Sequence, residues 1–320
     1  MVVANGVRPN VLAVPSRRRK VAQKDQVPTV FIHGLAASSA FWHGAGANVL
    51  SVLGPCILYD LKGHGRSENP GSGYAVPDMA ADLFAILDHF EFPTANIVAH
   101  SFGGMIALYA ALKAPERVKS LTLADVRVRP LQKKLAIKSL DIAPGPRKRL
   151  EELGIAPGSV VRTDDGINYL NVVARIQVAA GDDANAILNA LYNHPKLFKS
   201  PRNARRWIEL IEDTSVLAGL KDENAFRAGD LASLEQPMLI LVGGNSPMLN
   251  STRMLHRLCT HSRFMEIPDM GHFFPISNPR AFLKPTLRFL RAVARDDPVS
   301  TRKIPVNAAV RLTDGPATHR

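Results

Sequence analysis

The sequence predicts an α/β fold built on a doubly wound, mostly parallel sheet. Two observations predict it: short apolar, β-branched runs recur along the chain, and amphipathic helical patterns lie between them. A third refines it. The alternation of strand and helix stops over about a hundred residues in the middle, where only helix-like stretches are found.

The elements follow in order. Residues 1 to 27 are polar and basic and read as a loose arm, with one short strand at Asn10 to Val14. The ordered core begins at Pro28 with VPTVFIHG, whose glycine end suits a buried parallel strand. Similar runs are CILYD at 56 to 60, ANIVAH at 95 to 100, SLTLAD at 120 to 125, PMLILVGG at 237 to 244 and RFMEI at 263 to 267, so six buried strands are expected. Helices are expected at Val76 to Phe90, Gly103 to Lys113, Asn250 to Thr260 and Pro279 to Arg295. Right-handed crossovers then gather the functional loops at the carboxyl ends of the strands. Between them, Pro130 to Leu140, Gly166 to Ala180, Asp182 to Tyr192 and Asn203 to Ile211 read as helices of an insertion. The domain plan is a core of 28–129 and 235–295, an inserted lid of 130–234 over the functional edge, and a basic tail of 296–320.

Composition excludes several classes. With 46% hydrophobic and 21% charged residues in 320, the chain reads as an ordinary globular protein. No apolar run approaches the roughly 20 residues that span a bilayer, and the first residues lack the apolar stretch of a signal peptide, so a cytosolic protein without a membrane span is expected. Cys56 and Cys259 lie far apart and outside any metal-binding or redox pattern, and no cofactor or metal is expected. The net charge of +12 gathers in runs such as Arg17 to Lys20, Lys133-Lys134 and Arg147 to Arg149. These carry no interleaved aromatics, which fits solvated surface and no nucleic-acid partner. Oligomeric state is not readable.

The residues that carry chemistry begin with IVAHSFGGMIALYAA, at 97 to 111. A buried strand, a sharp turn at Ser101 and an apolar helix make a nucleophile elbow, whose tightness requires small residues two positions either side; Ala99 and Gly103 supply them. The helix N-terminus then faces the serine oxygen. His33-Gly34 closes the strand VFIHG, Asp60 to Ser67 follows the pattern D-x-x-G-x-G-x-S, and Gly271-His272 follows the last strand.

On these motifs the chain resembles the α/β-hydrolase fold superfamily from about Val27 to Ala294, as a serine-nucleophile, esterase-like member with a helical lid. The resemblance implies Ser101 as nucleophile, His272 as general base, and an oxyanion hole from the backbone N–H groups of Leu35 and Phe102. It implies that Asp60 and His64 fix a loop. The usual acid position, after PMLILVGG, falls on Ser246 in Gly243-Gly244-Asn245-Ser246-Pro247. Some members, including certain dehalogenases, carry their acid one strand earlier, where this chain has Asp125. Asp125 is therefore the candidate acid, with Asn245 or Ser246 as alternatives.

The expected activity is hydrolysis of an ester or related acyl bond of a small, apolar substrate. His33, Gly34, Phe41, Trp42 and Phe273 are candidate pocket residues, and Arg202, Arg205 and Arg206 could hold an anionic end. Carbon–carbon hydrolysis or a lyase reaction, or a weakened hydrolase fold that only binds a ligand, are the alternatives.

Overall fold

The computed structural model describes residues 2–18, 26–133, 142–158, 166–192, 201–221 and 225–297. Seven strands form one sheet: β1 (Val11–Val14), β2 (Thr29–Ile32), β3 (Cys56–Tyr59), β4 (Ala95–His100), β5 (Val118–Ala124), β6 (Met238–Gly243) and β7 (Ser262–Ile267). Their order is β1-β3-β2-β4-β5-β6-β7. Only β1 runs antiparallel, pairing Val11 with Tyr59 and Val14 with Cys56.

The alternation of side chains along each strand divides the core into two layers. Phe31, Leu58, Val98, Ala124, Leu239 and Leu241 face one layer, with Trp42, Phe282 and Phe289. That side is covered by α1 (Ala40–Gly44), α2 (Ala47–Leu50) and, late in the chain, α12 (Pro279–Ala294). Val30, Ile32, Ile97, Ala99, Leu121 and Leu123 face the other, which α3 (Val76–His89) and α4 (Gly103–Lys113) cover. Both faces are buried, as helices on each side of a parallel sheet require.

Between β5 and β6 the described residues hold no strand. They form α5 (Pro144–Glu152), α6 (Ile167–Ala180), α7 (Ala184–Tyr192), α8 (Pro201–Asp213) and α9 (Val216–Lys221). The core resumes with β6, α10 (Leu249–Leu258), β7 and α11 (Phe274–Ser277) before α12. Among the described residues no helix is long and apolar enough to cross a membrane.

Three expectations need correction. The 1–27 segment is not loose over residues 2–18. Ala4 is buried, β1 is paired, and the Asn10 side chain donates to Asp60 at 2.8 Å. Polar side chains that read as solvated in sequence are here satisfied by partners fifty or more residues away. Secondly, β7 is the sheet edge, and its middle residues are exposed or half-buried rather than buried. Thirdly, α5 and α9 carry too weak an apolar stripe to be seen in sequence. The helix expected at Pro130 to Leu140 is turn over 130–133, and 134–140 lies outside the described residues, as does most of the basic tail.

The N-terminal segment is tied to α3 through Asp82. Its carboxylate accepts from Asn5 at 2.9 Å and pairs with Lys62 at 2.8 Å, both members of that pair being nearly buried. Burial holds Asp82 above the ordinary carboxylate range in spite of the hydrogen bonds and charge of Lys62 and Asn5. Lys62→Met should therefore strand a buried carboxyl and lower stability by about 3 to 5 kcal/mol. Urea unfolding checks this, and an unchanged midpoint would show that the pair is dispensable.

Candidate active site

Three strand ends converge on the site. β4 ends at His100, and Ser101 follows with φ +53°, the left-handed turn that aims its side chain out of the sheet. Such a turn is strained for any residue but glycine and persists only where packing enforces it. Close approach is the enforcement. A Cβ on Gly103 would lie 2.7 Å from the carbonyl oxygens of Ile32 and His33, and one on Gly34 would lie 2.8 Å from Ser101 Cβ. Neither glycine can be replaced without moving backbone.

Ser101 Oγ lies 3.1 Å from His272 Nε2, and His272 Nδ1 lies 2.9 Å from Asp125 Oδ1. Nδ1 donates to the carboxylate, so Nε2 carries the lone pair that accepts from the serine hydroxyl. Residues 101, 125 and 272 thus form one continuous relay. Asp125 follows directly on β5 with φ +51° and is fully buried.

The residue at the usual acid position has a different partner. Ser246 Oγ donates to Asp125 Oδ1 rather than to His272, and the Gly243 N–H donates to Asp125 Oδ2 at 2.8 Å. Ser246 Oγ in turn accepts from Met248 N at 3.1 Å. The Asn245 N–H donates to the Met270 carbonyl at 2.9 Å. The carboxylate therefore has three donors, from His272, Ser246 and Gly243. These last two were not foreseen from sequence, although both lie in the Gly243 to Ser246 segment singled out for another reason.

Leu35 follows Gly34 in the loop after β2, and Phe102 follows Ser101 as the N-cap of α4. Neither backbone N–H meets a protein acceptor among the described residues. Of the candidate pocket residues, Phe41 stacks on His100 at 4.4 Å, and Phe273 lies 4.9 Å from the His272 ring. Gly34 touches Ser101, as above. His33 and Trp42 are fully buried and face the core instead of an open pocket. His33 accepts from the Leu61 N–H at 3.0 Å and donates to the Gly34 carbonyl at 2.7 Å, so it braces the loop before Leu35.

The arginines of α8 are elsewhere. Arg202 and Arg205 are exposed, and Arg206 donates to the Ser67 carbonyl, docking α8 against the 60–70 loop. Asp60 accepts from Ser39 N, Arg66 N and the Asn10 side chain. Burial raises its carboxyl, but the backbone N–H donors of Arg66 and Ser39 lead the effects that outweigh it and leave Asp60 below its ordinary range. Among the described residues no group of three or more His, Cys, Asp or Glu side chains is disposed to hold a metal ion.

Residues 27–279 match the family model described as the alpha/beta hydrolase fold. The chain belongs to this family. A Caulobacter segnis protein that bears the name carbamate hydrolase RutD is 27% identical over 273 residues, taking in 80% of this chain and 88% of that protein. An esterase of Mycobacterium tuberculosis is 25% identical over 264 residues, 78% of this chain and 82% of its own length. A RutD of Variovorax paradoxus reaches 40% identity, but over 98 residues, only 37% of its length. Among solved structures, a meta-cleavage product hydrolase of Pseudomonas fluorescens superposes with a TM-score of 0.58 at 20% identity, covering 91% of this chain and 96% of that one. A bacterial membrane phospholipase A gives 0.64 at 19%, with coverage of 91% and 85%. Identities this low in the structures speak for the fold alone.

Three histidines around this hydrolase site are held neutral. Burial is the main cause for each: His33 is lowered, His64 is pushed down to about 3, and His100 is well below its ordinary value. In the unfolded chain each takes up a proton near 6.5. Stability is therefore complete above that pH and falls as pH drops, by about 1.4 kcal/mol per unit for each histidine still neutral in the fold. The urea midpoint should decline from pH 7 to pH 4.5, and His64→Phe should flatten the slope; a pH-independent midpoint would contradict this account.

Proposed function

We propose that the chain is a serine hydrolase that cleaves an ester or related acyl bond through an acyl-enzyme. The observation that carries this reading is the relay from Ser101 through His272 to a buried carboxylate. Asp125 serves as the acid, Ser246 supports it, and a degraded triad is not needed to account for the serine at position 246.

His272 Nε2 takes the Ser101 proton as Oγ attacks the substrate carbonyl carbon. The oxyanion is received by the Leu35 and Phe102 N–H groups, each worth about 3 kcal/mol when held in place for it. As the carbon–oxygen bond to the leaving group breaks, His272 returns the proton to the departing alcohol. Water then attacks the acyl carbon, giving its proton to His272, and the carboxylic acid leaves as Ser101 regains its hydrogen. Asp125 fixes the imidazole tautomer and offsets its transient charge.

Phe41 and Phe273 give the entrance an apolar character that suits a small or medium acyl group. The helices over 142–221 act as its lid, docked on the core through Arg206 and through the Ser215 N–H, which donates to the Gly71 carbonyl at 2.9 Å. Relatives named for ester and carbamate cleavage support an acyl substrate. Cys56 and Cys259, free and buried with thiols pushed up to about 12 by burial, take no part and suit a cytosolic setting.

The test is turnover of p-nitrophenyl acyl esters of increasing chain length, with labelling of Ser101 by a fluorophosphonate. Ser101→Ala should abolish both, and Asp125→Asn should lower kcat on the order of 10^3 to 10^4-fold. Ser246→Ala removes one donor from the carboxylate and should cost about 1 kcal/mol, or roughly fivefold. An inert, unlabelled wild type would sink the hydrolase reading in favour of ligand binding.

A further inference from the structure

His100, the residue before Ser101, is buried and belongs to none of the roles above. Its Nε2 lies 3.0 Å from the main-chain oxygen of His272. A carbonyl can only accept, so Nε2 carries the hydrogen and Nδ1 the lone pair. Nδ1 has no partner among the described residues. It abuts the loop before Leu35, since a Cβ on Gly34 would lie 3.2 Å from it. The ring is held by Phe41 on one side and stands 4.7 Å from the His272 ring on the other.

The His272 turn needs fixing from outside itself. It follows β7, the sheet edge, and contains Asp269 at φ +57°. The Asn245 N–H ties Met270 of this turn to the segment after β6, and the bond from His100 ties its main chain to β4, the strand that leads to the serine.

We propose that His100 is a positioning residue for His272: its Nε2–H tethers the main chain of the general base to the nucleophile strand, while Asp125 holds the side chain. The Ser101-to-His272 distance is then set at both ends of the same residue. The neutral ring matters as well, because a second imidazolium beside His272 would oppose the charge that develops there. The inference rests on the acyl-transfer reading only for what the tether accomplishes.

The experiment compares His100→Gln, which keeps an N–H donor near the place of Nε2, with His100→Phe, which keeps a packed ring and loses the donor. Misplacement of a reacting group by about 1 Å costs on the order of a hundredfold. His100→Phe should therefore slow fluorophosphonate labelling and kcat at least about tenfold with KM little changed, and His100→Gln should recover to within about threefold of wild type. Long-range 1H–15N spectra of the wild-type chain should show His100 as the Nε2–H tautomer. An Nδ1–H tautomer, a His100→Phe chain that labels like wild type, or a Gln variant as slow as Phe would each overturn the proposal. If wild type is not labelled at all, the acyl-transfer reading fails separately. The tautomer, and a shift of the His272 ring signals in His100→Phe but not in His100→Gln, then decide the tether alone.

Discussion

The carboxylate of Asp125 is the constraint around which the site is arranged. A charge with no exposure is tolerable only if its oxygens are fully engaged. Here the donors come from three separate elements: His272 after β7, Gly243 at the end of β6 and Ser246 in the following turn. Satisfying that charge pulls the ends of β5, β6 and β7 into one cluster. The imidazole is then placed against the serine as a by-product of neutralising the acid.

A second constraint is volume at the end of β4. The serine turn, the Gly34 loop and the start of α4 share a space that admits no extra methyl group. This crowding holds Ser101 in its left-handed conformation, and it sets Gly34, the residue before Leu35, directly against the serine. The strain thus has its origin in the short distance between β2 and β4 at their carboxyl ends.

Much of this was legible in sequence because the signals are local. Short apolar, β-branched runs gave the strands, and the elbow gave Ser101 through the small residues its turn demands. His272 could be picked from ten histidines by its place after the last strand. Asp125 was a candidate by its strand end, but its choice over Ser246 depended on side chains 121 positions apart, a separation no local pattern encodes. The same reason hid the anchoring of residues 2–18 and the spending of Arg206 on a core carbonyl. Trp42 and His33 were misplaced for another reason: sequence neighbours of motif residues point to opposite faces of the backbone, and adjacency does not say which.

The adjacency of β5 and β6 has a consequence for how such chains diverge. Their carboxyl ends are neighbours, and the side chains of residues 125 and 246 meet in one small volume. A carboxylate entering from either strand reaches that volume without any change in the scaffold. The two positions therefore behave as alternative sockets for one charge, and a lineage can pass from one to the other through an intermediate that fills both. A search that inspects only the β6 socket would overlook the carboxylate that this chain carries at the end of β5.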